Sequence, residues 1–337
     1  MSTDFKRVLV LGSNSFTGSH FIQHLLEKTD VEIVGISRSP EYNPLFLPYR
    51  YHKTSPARFK FFRIDLNSNF ENFISLCEEF QPEIVVNYVA QGEVRNSWNW
   101  SEQWYQTNCL AVVRVTEFLR KKEYLKKYIA ISTPEVYGTT GDKIKECHCY
   151  YPSTPYAASK LAGDLHLFVL HKRYGFPIVF SRTANVYGIH QQLYRIIPRT
   201  IIFLKSGKKI LLHGRGQSRR AFIHVRDAAD FTLRLILRGK AGEIYHLAPK
   251  EGLLKITDVV QRICDITEHK FNDSVEITDE NFGQDSQYSL DSSKAQRALG
   301  WKQGVAFEDG LKETIAWISD NWREISTMPL DYKHVAS

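Results

Sequence analysis

The stretch Arg7-Val8-Leu9-Val10-Leu11-Gly12-Ser13-Asn14-Ser15-Phe16-Thr17-Gly18 decides the fold of this chain. Arg7 to Leu11 is a short run, apolar from Val8 onward, as a strand covered on both faces requires. It leads into a glycine-flanked turn and then a helical pattern from Ser19 to Lys28. Strand, glycine turn and helix in that order are the context of a dinucleotide fingerprint. Gly12 allows the tight turn and Gly18 a close helix approach, while the helix N-terminus offers amides to a pyrophosphate. Between the two glycines stands Ser15 rather than a third glycine.

Outward from this unit, Glu32 to Arg38, Lys60 to Leu66, Glu83 to Ala90, Tyr128 to Thr133 and Pro177 to Arg182 are further runs of strand length separated by longer amphipathic stretches. Such alternation predicts an α/β fold, a Rossmann-type doubly wound parallel sheet with helices on both faces. Ligands in these sheets bind beyond the carboxyl ends of the strands, where Gly12, Arg38, Asp65, Ala90 and Thr133 fall. Long amphipathic helices are expected from about Glu102 to Lys121 and from Tyr156 to Tyr174. A boundary near residue 185 divides a nucleotide-binding domain, 1–185, from a smaller C-terminal α/β substrate-binding lobe, 186–330, with segments interleaved over Pro177 to Leu247.

The chemistry concentrates in Ser132-Thr133-Pro134-Glu135-Val136-Tyr137-Gly138, followed by Tyr156 and Lys160. If Pro155 opens a helix, Tyr156 and Lys160 lie one turn apart on one face. A lysine charge beside a phenol favours the phenolate, drawing its pKa down from about 10. Such a base takes the proton of an alcohol while hydride leaves the same carbon. A tyrosine and lysine at this spacing are common by accident; the preceding fingerprint gives the pair its meaning.

In these segments the chain resembles the extended short-chain dehydrogenase/reductases that act on nucleotide sugars, most of all the 4,6-dehydratases. The matching pieces are Gly12 to Gly18, Asn87-Tyr88-Val89-Ala90-Gln91, Thr107-Asn108, STPEVYG, Pro152 to Lys160, Asn185-Val186-Tyr187-Gly188, Gly214 to Asp227 and Tyr288 to Trp301. The resemblance implies an enzyme in which Thr133 holds the sugar's 4-hydroxyl, Tyr156 deprotonates it and Lys160 holds the cofactor ribose. Glu135 matches the base that removes the C5 proton, so that water is lost across C5 and C6 and hydride returns to C6. Pro134 stands where the dTDP-glucose dehydratases carry an acid for the leaving hydroxyl, so Glu135 or a water must supply that proton. Decarboxylases, 4-oxidases and 4-epimerases of the family are the alternatives.

The resemblance further implies that Gly12, Asn14, Ser15, Phe16, Thr17, Gly18, Asp65, Leu66, Val89, Ala90, Gln91 and Asn108, with Tyr156 and Lys160, bind the cofactor. The second predicted strand ends in Arg38, not in the carboxylate that would grip a ribose 2′-hydroxyl, which favours NADP over NAD. Asn185 and Arg220 are implied for the sugar nucleotide's diphosphate, with Thr133 and Glu135 at the hexose. Gln91 and Glu93 follow the fourth strand, where they can face the sugar. In relatives the two long helices form a dimer contact, so a homodimer is expected. The family's usual setting is bacterial surface polysaccharide synthesis.

The 337 residues, 43% hydrophobic and 24% charged, suit a soluble enzyme of two lobes. A formal charge of +7 suits anionic ligands and admits nucleic acid, so a non-catalytic RNA-binding protein of this fold is the reading from another class. Its mark would be steep salt dependence without turnover. A pure binder has no use for Thr133, Tyr156 and Lys160 together. The five cysteines, an odd number, form no disulfide framework, and with no signal peptide evident a reducing cytoplasm is expected. Cys147-His148-Cys149 lacks a distant second ligand pair, so no metal is expected, and no apolar run suits a membrane span.

Overall fold

The computed structural model describes residues 3–51, 57–280 and 285–336. Seven parallel strands form the central sheet: β1 (Arg7–Leu11), β2 (Glu32–Ser37), β3 (Phe59–Arg63), β4 (Ile84–Asn87), β5 (Lys127–Ser132), β6 (Ile178–Thr183) and β7 (Ile244–Leu247). Their order is β7-β6-β5-β4-β1-β2-β3, with β1 between β2 and β4. Strand order reverses at β1, so a crevice opens beyond the ends of β1 and β4, where Gly12 and Tyr88 begin the connecting loops. The doubly wound parallel sheet expected from the sequence is present, with strand ends displaced by at most three residues and β7 added to the six strands read beforehand.

Both faces of the sheet are covered except at its edge strand β3, where Lys60, Phe62 and Arg63 are exposed, and the inner strands accordingly show no alternating polar side. On one face Phe21, Ile22 and Leu25 of α1 (Phe16–Lys28) join Phe231, Leu235 and Ile236 of Val225–Arg238 around Val8, Val10 and Val86. On the other, Phe73 and Leu76 of Phe70–Phe80, Val112 and Val115 of Ala111–Leu119, and Leu167 and Leu170 of Pro155–Tyr174 pack on Leu9, Leu11 and Val85. A third cluster, built on Ile197, Ile201, Val259, Ile263, Leu311 and Ile318, forms the smaller lobe. The chain leaves the large sheet after Thr183, builds part of that lobe, and returns as β7 beside β6.

One expected element differs. Glu102 to Lys121 is not a single α-helix: Ser101–Tyr105 and Ala111–Leu119 are joined by a π-helical turn over Gln106–Leu110. The wider turn gives Asn108 partners on two other elements: its Nδ2 donates to the Gln91 carbonyl at 3.1 Å and to Ser159 Oγ at 3.0 Å. Pro155–Tyr174, by contrast, forms as expected. Thr154 caps its start by accepting from the Ala157 amide at 3.1 Å, Pro155 occupies the first position, and Gly175 closes it in the left-handed conformation. Among the described residues no helix is long and apolar enough to cross a membrane.

Candidate active site

The fingerprint turn depends on both its glycines. Gly12 has φ +80°, and a Cβ there would stand 2.9 Å from the Tyr88 carbonyl carbon; a Cβ on Gly18 would stand 2.5 Å from the Gly12 oxygen. Ser15, the residue that departs from the glycine pattern, is the N-cap of α1 and accepts from the Gly18 amide at 3.1 Å. Asn14 braces the turn, its Nδ2 donating to the carbonyls of Ser39 (3.2 Å) and Pro40 (2.7 Å). Its buried Oδ1 has no partner among the described residues.

Beside this turn lies a cavity of about 170 Å³ lined by Gly12, Asn14, Ser15, Arg38, Asp65, Leu66, Val89, Ala90 and Gln91. These are residues the sequence assigned to a cofactor, brought together from the ends of β1, β2, β3 and β4. The glycine cradle, the orphaned acceptor and the helix N-terminus fit the adenosine and pyrophosphate of a dinucleotide. Asn108 stands behind this cavity: its Oδ1 accepts from the Gln91 amide at 2.9 Å, so it positions the loop after β4. Arg38 donates to the carbonyls of Val335 (3.0 Å) and Ala336 (3.2 Å).

The cavity continues into a cleft of about 810 Å³ that includes Phe16, Thr17, Gln91, Glu93, Thr133, Glu135, Tyr156, Asn185 and Arg220. Thr133 follows β5 and caps the 3-10 turn Pro134–Tyr137, accepting from the Glu135 amide at 3.2 Å. Pro134 suits the first position of that turn, where no amide hydrogen is needed. Tyr156, in the first turn of its helix, hydrogen-bonds Thr133. Glu93 caps a short helical turn, one oxygen accepting from the Asn96 amide at 2.7 Å.

The expected lowering of the Tyr156 phenol by Lys160 is not met by the chain's own groups. Burial, then the nearby Glu135 charge, push the phenol well above its ordinary value, with the Thr133 hydrogen bond opposing. Lys160 lies behind the cleft, its Nζ donating to the Ile131 carbonyl at 3.0 Å, and burial lowers its own pKa against the pull of Asp164. Asp164 belongs to a buried cluster: it pairs with Arg182 at 2.8 Å and accepts from Ser132 at 2.6 Å. The residue before Thr133 is thereby fixed to the Tyr156 helix and to β6.

Glu135 carries the most telling titration in the cleft. Burial raises its carboxyl to about 7, with Asp285 adding to the rise and Arg220 and Arg195 opposing it. At the far end Tyr288 donates to Asn185 at 2.9 Å, and the Arg220 guanidinium lies 4.9 Å from the centre of the Tyr288 ring. Arg220 also donates to the Arg219 (2.9 Å) and Ser286 (3.3 Å) carbonyls, so its orientation is fixed. Roles for Tyr288, Arg195 and Asp285 were not read from the sequence. Tyr288 begins a matching segment and so carried a signal; Arg195, just ahead of the helix Ile196–Lys205, belongs to no motif.

Comparison with known proteins agrees in family and architecture. The model of the NAD dependent epimerase/dehydratase family matches residues 8–248. The dTDP-D-glucose 4,6-dehydratase of Mus musculus is 30% identical over 94% of this chain and 90% of its own. The crystal structure of a dTDP-glucose 4,6-dehydratase from Streptomyces venezuelae with NAD bound is similar with TM-score 0.85 and 26% identity, covering 94% of this chain and 97% of that one. A UDP-glucuronic acid 4-epimerase from Bacillus cereus, in complex with UDP-glucuronic acid and NAD, has TM-score 0.84 and 26% identity over 93% and 99% of the two chains.

Proposed function

The chain belongs to the NAD dependent epimerase/dehydratase family, and from that premise and its own side chains we propose that it is a nucleotide-sugar 4,6-dehydratase, a hydro-lyase. It converts an NDP-hexose to the NDP-4-keto-6-deoxyhexose with loss of one water and no net redox change. The observation that carries this reading is Glu135, a carboxyl with a pKa of about 7 beside Thr133 and Tyr156. The base that oxidation at C4 needs for the hydroxyl proton is already present in Tyr156, the hydride going to the dinucleotide; a second acid-base group poised near neutrality is what elimination across C5 and C6 adds.

Thr133 orients the sugar's 4-hydroxyl toward Tyr156, which takes its proton as the phenolate. Because the chain's own groups hold the phenol above its ordinary value, that ionisation needs the added positive charge that a bound oxidised cofactor would bring beside it. Lys160, in the turn after Tyr156, holds the cofactor ribose and adds positive charge behind the phenol. The nicotinamide dinucleotide supplies the hydride acceptor and donor. Once C4 is a ketone, the C5 proton is acidic, and Glu135 removes it. Its pKa then allows the same carboxyl to hand that proton to the departing C6 hydroxyl, which resolves the missing acid at Pro134 without a further residue. Asn185 and Arg220 hold the diphosphate, Arg220 braced against Tyr288. Gln91 and Glu93 face the hexose from the loop after β4.

The finer cofactor assignment changes from that drawn on Arg38 alone. Its two terminal nitrogens are engaged by backbone carbonyls, a 2′-phosphate would displace them, and both solved relatives cited above carry NAD. NAD is therefore the proposed cofactor, and it should bind at least ten-fold tighter than NADP by calorimetric titration. The chain is further proposed to work as a homodimer.

The deciding experiment is mass spectrometry after incubation with NAD and a panel of GDP-, UDP-, dTDP- and CDP-hexoses. Loss of one water from one of them establishes the activity and its substrate. The second reading, a 4-epimerase, draws on the likeness to the glucuronic acid epimerase and on Pro134. It predicts a product of unchanged mass with inverted C4, which would replace the dehydratase assignment.

A further inference from the structure

Beyond the last helical turn, Trp322–Ile325, the segment Leu330–Ala336 runs across the mouth of the cleft. Tyr332, Lys333 and Val335 line it. The Val335 carbonyl accepts from Gln91 Nε2 at 3.1 Å and Arg38 Nη2 at 3.0 Å, and the Ala336 carbonyl from Arg38 Nη1 at 3.2 Å. His334 stacks on Trp100, with centroids 4.6 Å apart and planes at 5°, and on Trp104 at 5.2 Å and 13°. Its Nε2 lies 2.7 Å from Gln103 Oε1. Toward the smaller lobe Tyr332 packs edge-on against Tyr194 at 5.2 Å, and the Leu330 carbonyl accepts from Arg199 at 3.3 Å. The segment is thus held at both lips of the opening.

Arg38 and Gln91 line both the smaller cavity and the cleft, so they stand at the waist where one passes into the other. A dinucleotide with its pyrophosphate at the start of α1 must thread this waist. We propose that Leu330–Ala336 is part of the cofactor site, a clasp laid over the bound dinucleotide that sets its rate of exchange. This rests on the dinucleotide reading of the site given above. The segment covers the site and does not fill it: beneath it the cleft keeps about 810 Å³, within the roughly 300–1,000 Å³ of ligand sites. Its hydrogen bonds go to Arg38, Gln91, Gln103 and Arg199, none of which belongs to the turn Gly12–Gly18. The aromatic stack on two indoles is the stronger anchor, since rings of this kind bring large buried area and a preferred geometry. Retention suits a cycle in which hydride leaves C4 and returns to C6, because the cofactor is restored without departing.

The test is the release rate of NADH, followed by its fluorescence during a chase with excess NAD. Three proteins are compared: the full chain, a chain ended after Met328, and His334→Ala, which removes the stacked ring and leaves the backbone carbonyls. Release at least ten-fold faster from the shortened chain and at least three-fold faster from His334→Ala is expected. If the shortened chain does not fold, His334→Ala decides alone. Equal release from folded variants would overturn the clasp and leave the dinucleotide site standing. Slower release or tighter binding on shortening would overturn it as well, by making the segment a plug. No binding of NADH to any of the three would remove the site itself, and the clasp with it.

Discussion

Glu135 sets the pH behaviour of this cleft. Its carboxyl is raised to about 7, chiefly by burial, so the base is protonated and idle below that value. As the reacting form is the carboxylate, kcat/KM for water loss should rise with pH through about 7 and level off above it. Arg195 and Arg220 both pull this pKa down, so Arg195→Ala should move the midpoint to higher pH, measured in the same profile. Glu135→Gln should stop after oxidation at C4, seen as a stoichiometric rise in reduced-nicotinamide absorbance with no loss of water. Unchanged 6-deoxy product from that variant would remove Glu135 from elimination. Thr133, Glu135, Tyr156 and Lys160 were legible beforehand because they lie in two short motifs. Arg195 and Asp285 were not, since their approach to Glu135 depends on the path of the smaller lobe.

At the scale of elements, the inner strands could be read from composition because they are covered on both faces and largely apolar, as in β1 and β4; the edge strand β3, Phe59–Arg63, is mostly exposed and was readable from its aromatic residues. The interrupted helix over Ser101–Leu119 could not: a π turn has the composition of the α-helix around it. The start of the helix Pro155–Tyr174 was readable in Pro155, and the structure adds the Thr154 cap before it. Thr154→Ala should cost about 1 kcal/mol by loss of the bond to the Ala157 amide, measured by urea unfolding. Gly18→Ala meets a backbone oxygen that no rotamer can move aside. It should cost roughly 1–3 kcal/mol, and because the Gly12 turn must shift to admit the methyl group, NAD affinity should fall with it.

For the molecule as a whole, Leu110, Leu165 and Val169 are exposed on the helical face formed by Gln106–Leu110 and Pro155–Tyr174. Apolar side chains gathered on one face are the mark of an association surface. Light scattering should give twice the 39.0 kDa chain mass, and Leu165→Arg with Val169→Arg should give the monomer. The lobes themselves are joined by a double crossing, since the chain passes from one to the other and back between Thr183 and Ile244, within the stretch Pro177 to Leu247 where the resemblance implied interleaving. This excursion makes the sheet a lock between two pieces of chain. A protease cutting the exposed stretch Ser206 to Lys209 would leave β6 on one fragment and β7 on the other, paired in parallel within one sheet. Such a nicked molecule should elute at its original size and come apart only in denaturant, and the two halves made separately should complement one another.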